Sequence, residues 1–386
     1  MDKLLNNDIY SLPRKESERL YILKVWFSIM VIFVHSYGES VNFAGGSISL
    51  IAPHWLKYTK IIVSNIVAIC SVSGFFFLSA FFLYLKPFSW RDNFIKKCRS
   101  IIVPYLLINT FWIAVVFLAQ HIPVFAEFFS NPALIIADWN LNDWISAYLG
   151  SQANRFPFLY PLWFLRDLFV MNILAKLIEK VVCVLSNYSL ILFLLLWLLV
   201  DSSHVFFCDI RAICFWGLGC FFAKSKHSLS CFDNMNRFVL SAVYACLILA
   251  TTMMIDSRSL GELILYRACI AVGIIFWYAC TTDINSKIKP VLIRISNYSF
   301  LIYLFHELSL TALKKILARL LPANPLFQFA EYIGIPVFIF IYCLTLCLIL
   351  EKFSPRLFSL LNGKRSYANI TTDKRKEPVT FTSPYL

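Results

Sequence analysis

Long apolar runs separated by short polar clusters divide this chain from end to end. A helix that crosses a bilayer needs about 20 predominantly apolar residues. Windows that satisfy this lie near 21–38, 61–85, 101–122, 162–184, 188–203, 205–223, 238–255, 260–280, 291–313 and 332–350, the shortest being 188–203. The pattern predicts an all-α, polytopic integral membrane protein with about ten transmembrane helices. Lys24 stands close to the start of the first window, which runs on through Trp26 to Val34 without a small-residue cleavage site. That segment reads as a retained helix and not as a signal peptide. A segment over 1–18, a transmembrane domain over 19–352 and a polar tail over 353–386 complete the expected organisation.

Composition agrees with this class. Of 386 residues, 59% are hydrophobic and 17% aromatic, with a mean hydropathy of +0.71. These values exclude a soluble globule. The net charge of +13 has a topological reading, because Lys and Arg stay on the cytoplasmic side of short loops. Placing the N-terminus inside puts most of the 35 basic residues on that side, including Lys86, Arg91, Lys96, Lys97 and Arg99. Both termini are then cytoplasmic. The external segment 314–331, with Lys314, Lys315 and Arg319, runs against the rule. The charge reads as an insertion signal and a surface for anionic lipid of the bilayer, and nothing suggests a nucleic-acid partner.

Most of the 12 cysteines lie within apolar windows, where Cys behaves as a small hydrophobe. No CxxC pair occurs, and His54, His121, His204 and His227 are scattered. No metal site is expected.

Titratable groups inside the apolar windows point to function. At about 100° per residue, the eleven residues from Lys24 to His35 bring both onto one helix face, roughly 16 Å apart along the axis. With successive spans alternating in direction, His35, Arg166 with Asp167, Asp209 with Arg211, Arg267, and His306 with Glu307 all fall toward the outer side. An unpaired charge in hydrocarbon costs several kcal/mol, so these groups must face one another or a wet cavity. One outward-leaning polar chamber is predicted. The alternative for each pair is that it simply joins helices.

Five blocks carry a resemblance. Arg19-Leu-Tyr-Ile-Leu-Lys24-Val through Ile-Phe-Val-His35 resembles the opening helix of the membrane acyltransferase-3 family, whose pattern is arginine, ten residues, then histidine. Ser73-Gly-Phe-Phe-Phe-Leu-Ser79-Ala80 is similar to the family's second helix, and Lys97-Cys-Arg99-Ser-Ile-Ile-Val-Pro104-Tyr to its basic run before a proline-started third helix. Pro161-Leu-Trp163-Phe-Leu-Arg166-Asp167 and Tyr303-Leu-Phe-His306 resemble two later segments. The chain departs from the family at Lys24, where arginine is usual, and at Ala80, where glycine is usual. Lysine keeps the charge and loses the planar fork; Ala80 leads one to expect looser packing of the second helix. The polar tail leads to the expectation of a stand-alone form, without the SGNH hydrolase-like domain fused to some members.

What the resemblance implies is O-acyl transfer, most often of acetyl, from cytoplasmic acyl-CoA to a carbohydrate hydroxyl of a surface polysaccharide such as O-antigen, or of its lipid-linked precursor. It also implies a bacterial inner membrane. Lys24, Lys97 and Arg99 are the candidate contacts to coenzyme A, a polyanion. His35 is the candidate base or acyl-accepting nucleophile, with Glu307 or Asp167 orienting it and Arg166 stabilising the oxyanion. Trp163, His306, Arg211, Arg267, Trp139 and Trp144 are candidates on the substrate side; the two last lie in the long external loop at about 123–160, where an interfacial aromatic belt is the competing explanation. A transporter or flippase for a lipid-linked sugar or small anion is the alternative from a different class, although no internal repeat supports it.

Overall fold

The computed structural model describes residues 12–43, 46–49, 53–126, 128, 135–150, 156–200, 204–205, 208–225, 229–322 and 324–365. The expected N-terminal segment up to residue 11, the tail from 366, Arg155 and His227 lie outside the described residues. Of the described residues, 81% are helical. In chain order its main helices are α1 (Arg14–Ser36), α2 (His54–Tyr84), α3 (Trp90–Gln120), α4 (Leu141–Leu149), α5 (Trp163–Ile173), α6 (Ala175–Leu185), α7 (Tyr188–Leu199), α8 (Ile210–Lys224), α9 (Arg237–Met254), α10 (Leu260–Cys280), α11 (Lys289–Ser296), α12 (Ser299–Leu320), α13 (Pro325–Phe353) and α14 (Pro355–Leu361). A two-stranded hairpin, β1 (Ser40–Phe43) with β2 (Gly46–Ser49), follows α1.

Every expected window contains helix, but among the described residues six helices are long and apolar enough to cross a membrane, or seven if α6 and α7 form one span bent by 118°. The expected ten exceeds this for identifiable reasons. Helices α7 and α8 have 12 and 15 residues, short of about 20, and α12 carries Glu307, Lys314, Lys315 and Arg319.

Two local expectations change. The third long helix does not start at its proline: α3 begins at Trp90 and passes through a π turn at Cys98–Ile102 just ahead of Pro104. Such a turn realigns the hydrogen-bond ladder around a residue that lacks an N–H. Segment 314–331 is not an open loop, since α12 continues to Leu320 and α13 starts at Pro325. Its three cations have local work. Lys314 Nζ donates to the carbonyls of Ser36 (3.0 Å) and Tyr37 (3.4 Å) at the end of α1, where a cation also meets the negative end of the helix dipole. Lys315 donates to the Phe128 carbonyl, and the Arg319 guanidinium lies 4.9 Å from the Phe43 ring centroid.

α1 is the hub of the bundle. Leu20, Ile22, Phe27 and Ile32 are completely or almost completely buried, and α1 touches α2, α10, α11, α12 and α13. Gly74 of α2 sits under the Phe27 ring, so close that a Cβ there would lie 2.2 Å from it. The looser packing expected at Ala80 is absent, because Ala80 is fully buried and the close approach comes from the facing helix. A Cβ on Gly219 of α8 would lie 2.4 Å from the Phe77 carbonyl oxygen and 2.8 Å from the Ala80 methyl. Small residues let membrane helices approach closely, and here glycine has moved to the opposite side of the contact. Gly219→Ala is expected to destabilise the protein by about 1–3 kcal/mol through overpacking, read as a lower melting temperature in detergent. Because the clash is with backbone, adding Ala80→Gly is expected not to restore it.

Candidate functional site

α1 carries His35 near its C-terminal end, and α12 delivers His306 and Glu307 to the same level. His35 Nδ1 lies 3.0 Å from Glu307 Oε2, with both side chains largely buried. Thr311, one turn further along α12, donates to the other carboxylate oxygen at 3.3 Å. The contact is one of distance and charge, since Glu307 Oε2 has no hydrogen bond of good geometry among the described residues; a proton on Nδ1 would face the carboxylate and leave the lone pair on Nε2. His306 is fully buried, and its Nδ1 sits 2.7 Å from the Tyr303 carbonyl. Its Nε2 meets no hydrogen-bond partner among the described residues. The two imidazole centroids are 5.1 Å apart, and Tyr160 presents its ring to His35 at 5.5 Å. One ligand atom each from His35, His306 and Glu307 fall within 4.8 Å of one another, so this trio could also hold a cation.

Beside the trio runs a chain of paired charges. Asp167 is fully buried; Arg166 Nη2 lies 3.1 Å from one carboxylate oxygen, and the Asp209 backbone N–H donates to the other at 2.8 Å. Asp209 caps α8, accepting from the Arg211 backbone N–H at 2.8 Å, and also accepts from the Arg211 guanidinium at 2.6 and 3.0 Å. Arg211 in turn stands 5.2 Å from the Trp163 ring centroid. Tyr160 feels Arg211, Asp209 and Glu307 together, which ties this chain electrostatically to the trio. Asp167 therefore supports Arg166 and Asp209, while Glu307 is the carboxylate that meets His35. Position in sequence gave no sign that Tyr160 would join them.

Arg267 and the external tryptophans are placed differently. Arg267 Nη1 donates to the carbonyls of Trp197 (2.7 Å) and Val200 (2.6 Å) at the end of α7, so it closes a helix terminus. Trp139 and Trp144 meet each other at 5.1 Å, and Trp139 packs on a small separate cluster with Ile113, Ile136 and Ala147. Asp143 accepts from the Asn140 backbone N–H at 2.9 Å within a capping box. Arg19, from the first sequence block, is clamped by Asp233 at 2.7 Å and by the Tyr278 ring at 3.9 Å.

At the other end of α1, Lys24 is buried and its Nζ lies 5.5 Å from the Tyr21 ring centroid. Lys97 is buried as well, whereas Arg99 on the π turn is exposed. Lys86, Lys96 and Lys97 line a cavity of about 250 Å³ together with Asp92, Asn93 and the apolar Phe82, Leu83 and Phe88. The molecule thus has two polar centres on one helix: cations at Lys24 and an imidazole–carboxylate pair at His35.

Asp167→Ala is expected to lower stability by about 3–5 kcal/mol, because it leaves the buried side of Arg166 without its counter-charge. Thermal melting in detergent checks this.

Searches among curated proteins and among solved structures found no match. A family described as an acyltransferase domain matches residues 18–351, a stretch that holds both polar centres. The chain belongs to the acyltransferase-3 family of multi-pass membrane acyltransferases.

Proposed function

We propose that this protein is an O-acyltransferase that moves an acyl group, most often acetyl, from acyl-CoA bound at the Lys24 end to a carbohydrate hydroxyl bound at the His35 end. The observation that carries the reading is the 3.0 Å contact between His35 and Glu307. It leaves Nε2 as a base on the helix face shared with Lys24, roughly 16 Å away along the axis. An extended pantetheine arm has about that reach, so a donor held by its phosphates at Lys24 presents its thioester at His35.

A sugar hydroxyl is a weak nucleophile at neutral pH and gains from a base poised at its proton. His35 Nε2 takes that proton as the hydroxyl oxygen bonds to the thioester carbonyl carbon. The carbon–sulfur bond then breaks, and the departing thiolate of coenzyme A takes the proton back from the imidazolium. Glu307 holds the ring in register and offsets its transient charge, in the manner of a base oriented by a third group. Tyr160 and the unpartnered His306 Nε2 are the neighbouring polar groups able to bind the developing oxyanion or the acceptor hydroxyl. A two-step route, in which Nε2 carries the acyl group before the acceptor takes it, uses the same residues and balances equally.

The reading takes the Lys24 side as cytoplasmic, where acyl-CoA is made, and the His35 side as external, facing a surface polysaccharide such as O-antigen or its lipid-linked precursor. The cytoplasmic membrane of a bacterium meets both requirements.

With radiolabelled acetyl-CoA and membranes from the host, His35→Ala is expected to lower label transfer into surface polysaccharide by about 10²–10⁴-fold. Glu307→Gln should lower kcat with the donor KM unchanged. Full transfer by His35→Ala would remove the assignment. Since a cation on the trio would occupy the His35 lone pair, the base reading also expects activity to survive a strong zinc chelator. Loss of activity in chelator, with recovery on adding back metal, would convert the trio into a metal centre.

A further inference from the structure

His306 and Glu307 follow one another on α12 and meet His35 of α1 in a set that proton transfer uses only in part. His306 is fully buried. Its Nδ1 lies 2.7 Å from the Tyr303 carbonyl; a carbonyl only accepts, so Nδ1 carries the ring proton and Nε2 the lone pair. That Nε2 has no hydrogen-bond partner among the described residues. Glu307 is arranged in the same way. Thr311 Oγ1 donates to its Oε1 at 3.3 Å, while Oε2 has no well-formed hydrogen bond among the described residues and faces His35 Nδ1 at 3.0 Å. One ligand atom from each of the three side chains lies within 4.8 Å of the others, and the two imidazole centroids are 5.1 Å apart.

A metal ion satisfies such a set. Histidines that bind a metal hold their second nitrogen against a carbonyl or carboxylate, and ligating carboxylates are themselves hydrogen-bonded. Tyr303 and Thr311 supply these outer contacts. Two imidazoles and a carboxylate favour zinc over magnesium or calcium, which take oxygen ligands. Tetrahedral zinc, with bonds of about 2.0–2.2 Å, places its ligand atoms roughly 3.3–3.6 Å apart. A set already within 4.8 Å closes on the ion by side-chain shifts of about 1 Å. No spacing motif announces this site in the sequence, because its ligands come from opposite ends of the chain.

The effect on catalysis follows from the two nitrogens of His35. Zinc on Nε2 consumes the lone pair that takes the acceptor proton. Zinc on Nδ1 forces the ring proton onto Nε2, which then donates and no longer accepts. In both cases the base is lost and Glu307 turns from the ring to the metal. We infer that His35, His306 and Glu307 form an inhibitory zinc site, at which free Zn²⁺ switches transfer off by sequestering the base. The step is reversible ligand exchange: zinc gives up bound waters for two imidazole nitrogens and one carboxylate oxygen. It rests on the base reading above and adds a regulatory ligand to it.

The test uses the full-length protein in detergent, stripped with a strong chelator, with Zn²⁺ itself as the probe. Affinity is read by competition against a chromophoric chelator. Wild type is expected to take up a single zinc equivalent that His306→Gln and Glu307→Gln each weaken by about 100-fold or more, since losing an outer contact alone costs about 10–100-fold. His121→Ala, at an exposed histidine elsewhere, should keep that affinity. Zinc should raise the melting temperature of the wild type and not of Glu307→Gln, a variant of nearly unchanged shape. In membranes, Zn²⁺ should lower acetyl transfer by about tenfold or more once it exceeds the measured Kd about tenfold, and chelator should restore it. Equal zinc affinity in wild type and both variants would overturn the inference; if His35→Ala still abolishes transfer, the acyltransferase reading stands. Zinc held by the trio with transfer unchanged or raised would overturn the inhibitory role. Full transfer by His35→Ala would overturn that role together with the base reading.

Discussion

A charge moved from water into hydrocarbon costs several kcal/mol unless a partner or hydrogen bonds compensate, and the interior of this bundle is arranged around that requirement. Asp167 gains Arg166 and a backbone N–H of Asp209. Asp209 gains Arg211, and Arg267 gains two carbonyls at a helix end. Glu307 gains His35. Three of these contacts join helices, the Asp209 N–H to Asp167 linking α8 to α5, Arg267 linking α10 to α7 and Glu307 linking α12 to α1, whereas Arg166–Asp167 and Asp209–Arg211 pair within α5 and at the start of α8. Apolar packing supplies the close contacts, as at Gly219 against α2, but it is the buried charges that permit few alternative arrangements.

Because the costs of burial are met elsewhere, the two ends of α1 can be specialised. At one end, His35 approaches a carboxylate through Nδ1. At the other end, Lys24 is buried with its Nζ over the Tyr21 ring.

Sequence and structure agree most where the signal is local. Apolar windows mark where helix forms, although length and charge leave six or seven helices that qualify as single spans. The common face of Lys24 and His35 follows from helical periodicity and is retained in α1. The grouping of His35, His306, Glu307, Arg166, Asp167, Asp209 and Arg211 in one region was legible from depth. Which member does what was not: Glu307 reaches the imidazole, whereas Asp167 holds Arg166 and Asp209. The exposed position of Arg99 and the buried one of Lys97 depend on how α3 rotates through its π turn, a detail that a window average cannot carry. Trp139 packs on a cluster of its own with the exposed Trp144 against its ring, and the closeness expected of the second helix is restored from α8 by a glycine far away in the sequence.

The sequence by itself determined the helical membrane class, the family and the placement of a lysine and a histidine on one helix face, because these depend on composition, order and the fixed pitch of a helix. Only the tertiary structure decided that Glu307 faces His35, that Arg267 closes α7 and that Gly363 seats on Ser100 of α3. Those are contacts between residues remote in the chain, set by the packing of whole helices and by one glycine turn against α3, and no local rule of spacing encodes them.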